Sequence, residues 1–319
     1  MKTETELCEF ARSVSHGLAS KPKKLNSMYF YDEKGDALFQ KIMQLDEYYL
    51  TRSEFEIFQT QSKEIVDMLA LDDHYRLIEL GAGDGTKTKV VLKHLIEAGV
   101  DFSYSPIDIS ANVLEILKNN LIHQLPTLQI EPLAGDYFKV LEALSFKEYE
   151  KKVVFFLGSN IGNYLGSHAS DFLKSVRSNL SVGDKFVIGV DLKKDPKTIL
   201  AAYNDPTGVT AAFNMNLLDR INAELGANFD KSNFIHNPVY DPLSGECRSY
   251  LMSICDHEVY LESSDDLIHF DKWEPIFMEV SKKYSISELE SLAELCGFKV
   301  LNHLFDENHY YTDSFWEAI

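Results

Sequence analysis

Residues 79–88, "ELGAGDGTKT", place Gly81, Gly83 and Gly85 directly after an apolar run, "RLIEL", and ahead of a segment with helical spacing, "TKVVLKHLIEAG". Glycines at a strand-to-helix junction let the backbone approach a ligand and aim the first helix amides at it. Three ligand classes compete for such a loop. A phosphate-binding GxxxxGK[ST] loop would have Lys87 and Thr88 in register, but Thr86 stands where its second glycine belongs. A nicotinamide loop needs GxGxxG and an acid about 20 residues on. Thr86 again replaces the glycine, and the next strand-end acid, Asp108, comes later. S-adenosylmethionine fits better, because its carrier fold uses an acidic strand, GxGxG, and further acids after the next two strands.

Glu79 precedes the loop, Asp108 in "PIDIS" ends the second strand candidate, and Asp136 in "AGDYF" follows the third. A ribose diol wants a carboxylate acceptor, which Asp108 offers, and Asp136 can accept from an adenine amino group. One such acid would be an ordinary cap; three in this order on one sheet edge favour a cofactor. "VVFFLGSNIGNY", residues 153–164, follows the fourth strand with Gly158, Ser159, Asn160 and Asn163, and carries neither NPPY nor a cysteine nucleophile. By itself this reads equally as a polar loop. Much earlier, "DEYYLTRSE", residues 46–54, sets Tyr48 and Tyr49 beside Arg52. That hydroxyl-rich cluster needs either a packing reason or a ligand.

These residues must be held by a sheet. "RLIEL", "FSYSPIDI", "LQIEPLAGD", "KVVFFLG" and "DKFVIGVDL" alternate with helical segments, the pattern of a parallel, doubly wound α/β sheet. From residue 193 to 283 the rhythm breaks into a helix, "AAFNMNLLDRINAEL", and two antiparallel-looking runs, "CRSYLMSICDHEVYL" and "IFMEVSKKYS". It resumes with a capping box at Ser285 and Glu288, an apolar stripe of Ile286, Leu289, Leu292 and Leu295, and Gly297 to end the helix. Two closing strands follow, "KVLNHLFD" and "YYTDSFWEAI". A terminal strand pair is how a class I methyltransferase sheet finishes. The expected architecture is therefore a Rossmann-like core over 60–192 and 284–319 with a closing antiparallel strand, plus an α+β substrate domain from 1–59 and 193–283.

The 319 residues, 45% hydrophobic and 12% aromatic, suffice for two packed domains. Thirty-one Lys and Arg against 50 Asp and Glu give a net charge of −19, which disfavours nucleic acid and anionic membrane as partners and leaves small molecules. The 4 cysteines form no CxxC and the 10 histidines no HExxH, so no metal is expected. "MKTETELCEF" has no apolar leader and no run reaches bilayer length, so a cytoplasmic protein is expected. A monomer is expected as well.

"YFYDEKGDALFQKIMQLDEYYLTRSE", "ELGAGDGTKT", "VFFLGSNIGN", "YNDPTGVTAAFNMN" and "MEVSKKY" run in this order over nearly the whole chain. Together they resemble the L-histidine Nα-methyltransferases of the ergothioneine pathway. The resemblance implies that S-adenosylmethionine is bound by Gly81, Gly83, Lys87, Asp108, Asp136 and Tyr137. It implies a second domain closing over an amino acid, with Tyr31 and Tyr48 lining the acceptor pocket while Phe30 and Tyr49 pack. Asn163 and Tyr203 match residues that hold the substrate carboxylate, and Glu279 with Ser281 match those that hold the imidazole.

The implied reaction is methyl transfer to the α-amino group of L-histidine, repeated to the trimethyl betaine hercynine, with S-adenosylhomocysteine as product. The protein must supply alignment, about 3 Å between amine nitrogen and methyl group, and a neutral amine. Tyr31 or Tyr48 would take the released proton through water. Two positions depart from the family pattern: Asn204 makes "YND" of the usual "YDD", and Ser249 replaces a bulky methionine. A roomier pocket of this kind shifts selectivity by ~1–3 kcal/mol. A related branch methylates a prenylated tryptophan amine, and Glu279 argues against so apolar an acceptor. The alternatives are an N-methyltransferase of another small amine and a non-catalytic S-adenosylmethionine-binding protein.

Overall fold

The computed structural model describes residues 4–69, 73–83, 85–108, 111–145 and 151–319. The chain divides into two compact units, Met1–Tyr49 with Lys194–Lys282 and Leu50–Lys193 with Lys283–Ile319. In chain order, the first unit begins with α1 (Glu4–Ala19), β1 (Lys23–Lys24) and α2 (Glu33–Ile42). The second unit follows with α3 (Leu50–Thr60), α4 (Ser62–Leu69), β2 (Tyr75–Leu80), α5 (Thr88–Glu97), β3 (Phe102–Asp108), α6 (Ala111–Gln124), β4 (Leu133–Ala134), α7 (Tyr137–Ser145), β5 (Lys151–Phe156), α8 (His168–Ser178) and β6 (Lys185–Asp191). The first unit resumes with α9 (Pro196–Tyr203), α10 (Val209–Leu225), β7 (Phe234–Asp241), β8 (Glu246–Ser253), β9 (His257–Leu261), β10 (Asp266–Phe270) and β11 (Pro275–Lys282). The second closes with α11 (Ile286–Leu295), β12 (Phe298–Phe305) and β13 (Tyr311–Ala318).

The second unit is built on a seven-stranded sheet in the order β12-β13-β6-β5-β2-β3-β4. Strands β2 to β6 are parallel, and β13 enters antiparallel between β6 and β12. This is the class I methyltransferase arrangement expected from the closing strand pair. Every residue of β2 is buried, as a central strand covered on both faces by helices requires. The expected third strand is broken: Tyr104 bridges Ile130, and regular pairing resumes only at Ile107 with Leu133. Pro106 faces the gap and has no amide hydrogen to donate to Glu131 O, the next bond of the ladder after Glu131 N–H to Tyr104 O. The expected second strand ran to Ile109, which lies outside the described residues.

The capping box forms as read: Ser285 Oγ accepts from Glu288 N–H, and the Glu288 carboxylate accepts from Ser285 N–H. The apolar stripe does not continue to Leu295, which is 62% exposed. Steps of three residues lag a 3.6-residue turn by about 60° each, so the stripe drifts off the buried face, and Ala293 takes the place beside Leu289.

The first unit carries a four-stranded sheet, β1-β11-β8-β7, and a two-stranded ribbon, β10-β9. "CRSYLMSICDHEVYL", read as one run, splits after Ser253, and its halves join different sheets. The boundary between units also falls earlier than residue 60. Helix α3 buries Ile57 and Phe58 against its own unit, where it packs on β13 and α5.

Candidate active site

Strand β2 delivers the glycine loop. Gly81 N–H donates to Ile107 O at 3.0 Å, which ties the loop to the end of β3. Gly81 has φ +75 and Gly83 φ +55, the left-handed region that a side chain disfavours. A Cβ at Gly81 would lie 2.7 Å from the Tyr137 hydroxyl, whereas one at Gly83 would meet nothing within 4 Å among the described residues. The loop thus has a closed side against Tyr137 and an open side at Gly83.

Tyr137 begins α7. Burial first, then the charges of Asp108, Asp136 and Glu79 and the neighbouring Tyr164, push its phenol up to about 12. It is therefore a neutral donor standing among the acids expected to read the cofactor. Asp108 is half-buried at the C-terminal end of β3. Asp136 is exposed and caps α7 with Oδ1, which accepts from Phe138 N–H at 3.1 Å and Lys139 N–H at 3.2 Å. The cap is one of the two uses foreseen for such an acid. Glu79 points into the core, where it accepts from Thr88 Oγ1 at 2.6 Å and from the Tyr104 hydroxyl.

Lys87 donates to Glu54, a fully buried carboxylate on α3. Burial pulls the ammonium down, but the Glu54 charge and hydrogen bond outweigh it and the net shift is upward. Glu54 also accepts from Gly158 N–H and from the Tyr311 hydroxyl, each at 2.8 Å. It is the last residue of "DEYYLTRSE", and nothing local marks it, since Lys87 lies 33 positions away and Tyr311 257.

After β5 the chain makes a short 3-10 turn, Asn160–Asn163, entered through Ser159 at φ 58. Ser159 Oγ accepts from Asp191 N–H at 3.0 Å and Asn160 donates to Leu157 O at 2.9 Å. Ser159 and Asn160 thus build the turn. Asn163 is exposed on it.

The other expected residues lie in the first unit. Tyr203 ends α9, which Asp195 caps by accepting from Lys197 N–H at 2.9 Å. The Tyr203 hydroxyl donates to Ser281 Oγ at 2.8 Å, with both residues buried. The Tyr48 ring packs on Tyr203 and Phe39, and Tyr31 packs edge-on to Phe39 and Phe213. Although 49% of the Tyr31 surface is open, its pKa is raised, first by burial of the phenol and then by the Glu279 and Asp36 charges. Tyr31 is accordingly a neutral phenol, not a phenolate base. Glu279 sits beside a bulge in β11, directly opposite Ser249 on β8. Tyr49 is buried under Lys194, which donates to its hydroxyl at 2.7 Å, and Phe30 is fully buried, so both pack.

Asn204 is exposed at the C-cap of α9, while Asp205 accepts from Val209 and Thr210 N–H to start α10. That departure leaves the buried cap intact. Ser249 is buried, and its hydroxyl has no hydrogen-bond partner among the described residues. Among the described residues no group of three or more His, Cys, Asp or Glu could hold a metal ion, and no helix is long and apolar enough to cross a membrane.

Residues 10–318 match the family model described as histidine-specific methyltransferase, SAM-dependent. The chain belongs to this family. It is 32% identical over 302 residues to a histidine N-alpha-methyltransferase of Mycolicibacterium smegmatis, covering 95% of this chain and 90% of that one. A histidine N-alpha-methyltransferase of Mycobacterium tuberculosis is 34% identical, with 86% and 84% covered. Ergothioneine biosynthesis protein 1 of Schizosaccharomyces pombe is 31% identical over 88% of this chain, which spans 37% of that longer protein.

Within this methyltransferase, the sequence-expected residues fall into two groups. Gly81, Gly83, Lys87, Asp108, Asp136, Tyr137 and Asn163 belong to the seven-stranded unit, and Tyr31, Tyr48, Tyr203, Glu279 and Ser281 to the four-stranded one. The cradle fits S-adenosylmethionine. It has open space over Gly83, a neutral phenol over Gly81 and a carboxylate at the end of β3.

Proposed function

We propose that this methyltransferase acts on the α-amino group of L-histidine and repeats the transfer to the trimethyl betaine hercynine, releasing S-adenosylhomocysteine at each turn. The observation that carries the reading is the polar set on β11 and α9, Glu279, Ser281 and Tyr203, in which the Tyr203–Ser281 hydrogen bond is already made. Bound S-adenosylmethionine supplies an electrophilic methyl group on its sulfonium. Asp108 holds the ribose hydroxyls as a carboxylate acceptor, Tyr137 donates from above Gly81, and Asp136 offers its carboxylate to the adenine amino group. Glu279 accepts the imidazole N–H, and Ser281, oriented by Tyr203, offers a second contact to the ring. Asn163 carries an amide donor for a carboxylate, while the Tyr203 O–H is already given to Ser281. Tyr31, as a neutral phenol, and Tyr48 relay the released proton to water instead of storing it.

A second reading, another small amine as acceptor, draws support from the unpartnered Ser249 hydroxyl, since a buried polar atom is costly unless something bonds it. The test is mass spectrometry of purified protein with S-adenosylmethionine and L-histidine beside a panel of free amino acids. Successive methyl additions on histidine, lost in Glu279→Ala and Asn163→Ala, are expected. A faster reaction on another amine would replace the histidine assignment.

A further inference from the structure

Glu54 has been given no part in the reaction, yet its carboxylate gathers three donors from three elements beside the glycine loop. They are the Lys87 ammonium before α5, the Gly158 amide after β5 and the Tyr311 phenol on β13. The space is reserved for it. A Cβ at Gly189 on β6 would collide with Glu54 Oε1 and lie 2.5 Å from the Tyr311 oxygen, so only glycine leaves room there. A Cβ at Gly158 would lie 3.6 Å from Lys87 Nζ, so the ammonium sits directly against the turn after β5. A second carboxyl, Asp313, is buried beside the pair with neither oxygen bonded among the described residues. Burial and then the Glu54 charge push the Asp313 carboxyl well above its usual range, against the pull of the Lys87 ammonium, and Glu54 and Lys87 form the ion pair of this cluster.

An ammonium has three donors, and Glu54 occupies one. The Lys87 side chain remains 25% exposed. Bound S-adenosylmethionine has a single full negative charge, the carboxylate of its methionyl arm, which matches an ammonium fixed in direction.

We propose that Glu54 is the positioning residue of the cofactor site, acting through Lys87, which it keeps directed so that the remaining ammonium donors meet the carboxylate of the cofactor's methionyl arm. This rests on the S-adenosylmethionine reading of the loop and not on the identity of the acceptor.

The experiment compares two ligands by isothermal titration calorimetry. S-adenosylhomocysteine carries the amino-acid arm, whereas 5′-methylthioadenosine keeps the adenosine and thioether without it. Glu54→Gln keeps an acceptor for Gly158 and Tyr311 but removes the charge. It should weaken S-adenosylhomocysteine about tenfold or more while methylthioadenosine changes less than about twofold. Lys87→Met should do the same, and the double variant should be no weaker than Lys87→Met alone, because one residue acts through the other. If the amide variant does not fold, Glu54→Asp, one methylene short of Lys87, should give the same contrast. Equal weakening of both ligands in the folded variants, or additive losses in the double variant, would overturn the proposal. Histidine appears in neither titration, so a failed acceptor assignment leaves the result interpretable.

Discussion

Replacing Glu79 with glutamine should flatten the pH dependence of stability. Glu79 is buried at the end of β2, and burial is the dominant influence on it. The hydrogen bonds from Thr88 and Tyr104 and the Lys87 charge oppose burial, the Glu54 charge adds to it, and the carboxyl is raised from 4.5 to about 7. A carboxyl raised by folding holds its proton more tightly in the folded state. Between pH 4.5 and about 7 the folded protein keeps a proton that the unfolded chain has released, so stability from this group falls as pH rises through that window. At about 1.4 kcal/mol per unit the gap amounts to about 3 kcal/mol. Glutamine has no proton to lose. Its carbonyl can still accept from Thr88 Oγ1 and its amide can donate to the Tyr104 oxygen. Urea unfolding of both proteins at about pH 5 and about pH 8 measures the effect, with the variant gaining on the wild type by about 2–3 kcal/mol toward the higher pH. Asp313 is common to both proteins and drops out of the difference. Stability curves that run parallel within the error of linear extrapolation would refute the reasoning.

Lys283→Met should cost about 3–5 kcal/mol, because it strips the partner from Asp191 inside a fully buried pair held at 2.7 Å; adding Asp191→Asn should recover most of the loss in the same unfolding assay. Gly81→Ala places a Cβ 2.7 Å from the Tyr137 hydroxyl at φ +75, and Gly83→Ala places one in open space. Both should lose about 1–2 kcal/mol of stability to the left-handed backbone. Titration with S-adenosylhomocysteine should show the extra displacement of Tyr137 as a larger affinity loss in Gly81→Ala, and equal losses would remove Tyr137 from the site.

Features written in short-range chemistry were legible without the structure. The glycine loop, the capping box at Ser285 and Glu288, the end of α11 at Gly297 and the apolar runs of β2, β5 and β6 each depend on residues within a few positions of one another. Features that depend on meetings between distant segments were not. The break before Leu133 required knowing that Pro106 of the neighbouring strand faces it without an amide hydrogen. The earlier unit boundary required the surface on which α3 packs, whereas the exposure of Leu295 was already contained in the three-residue spacing of its stripe.

The sequence by itself determined the alternation of strands and helices, the order of the acids after successive strands and the residue types available for chemistry, because hydrophobic period and backbone permissiveness are local properties. The tertiary structure alone decided what each charged group faces. Glu54 lies in a stretch where two tyrosines draw the eye, and Asp313 lies in one of the two closing strands. Folding removes both from water and sets them beside Lys87. A charge taken from water must find a partner or give up its ionisation. Glu54 found Lys87, and the Asp313 carboxyl is pushed well above its usual range.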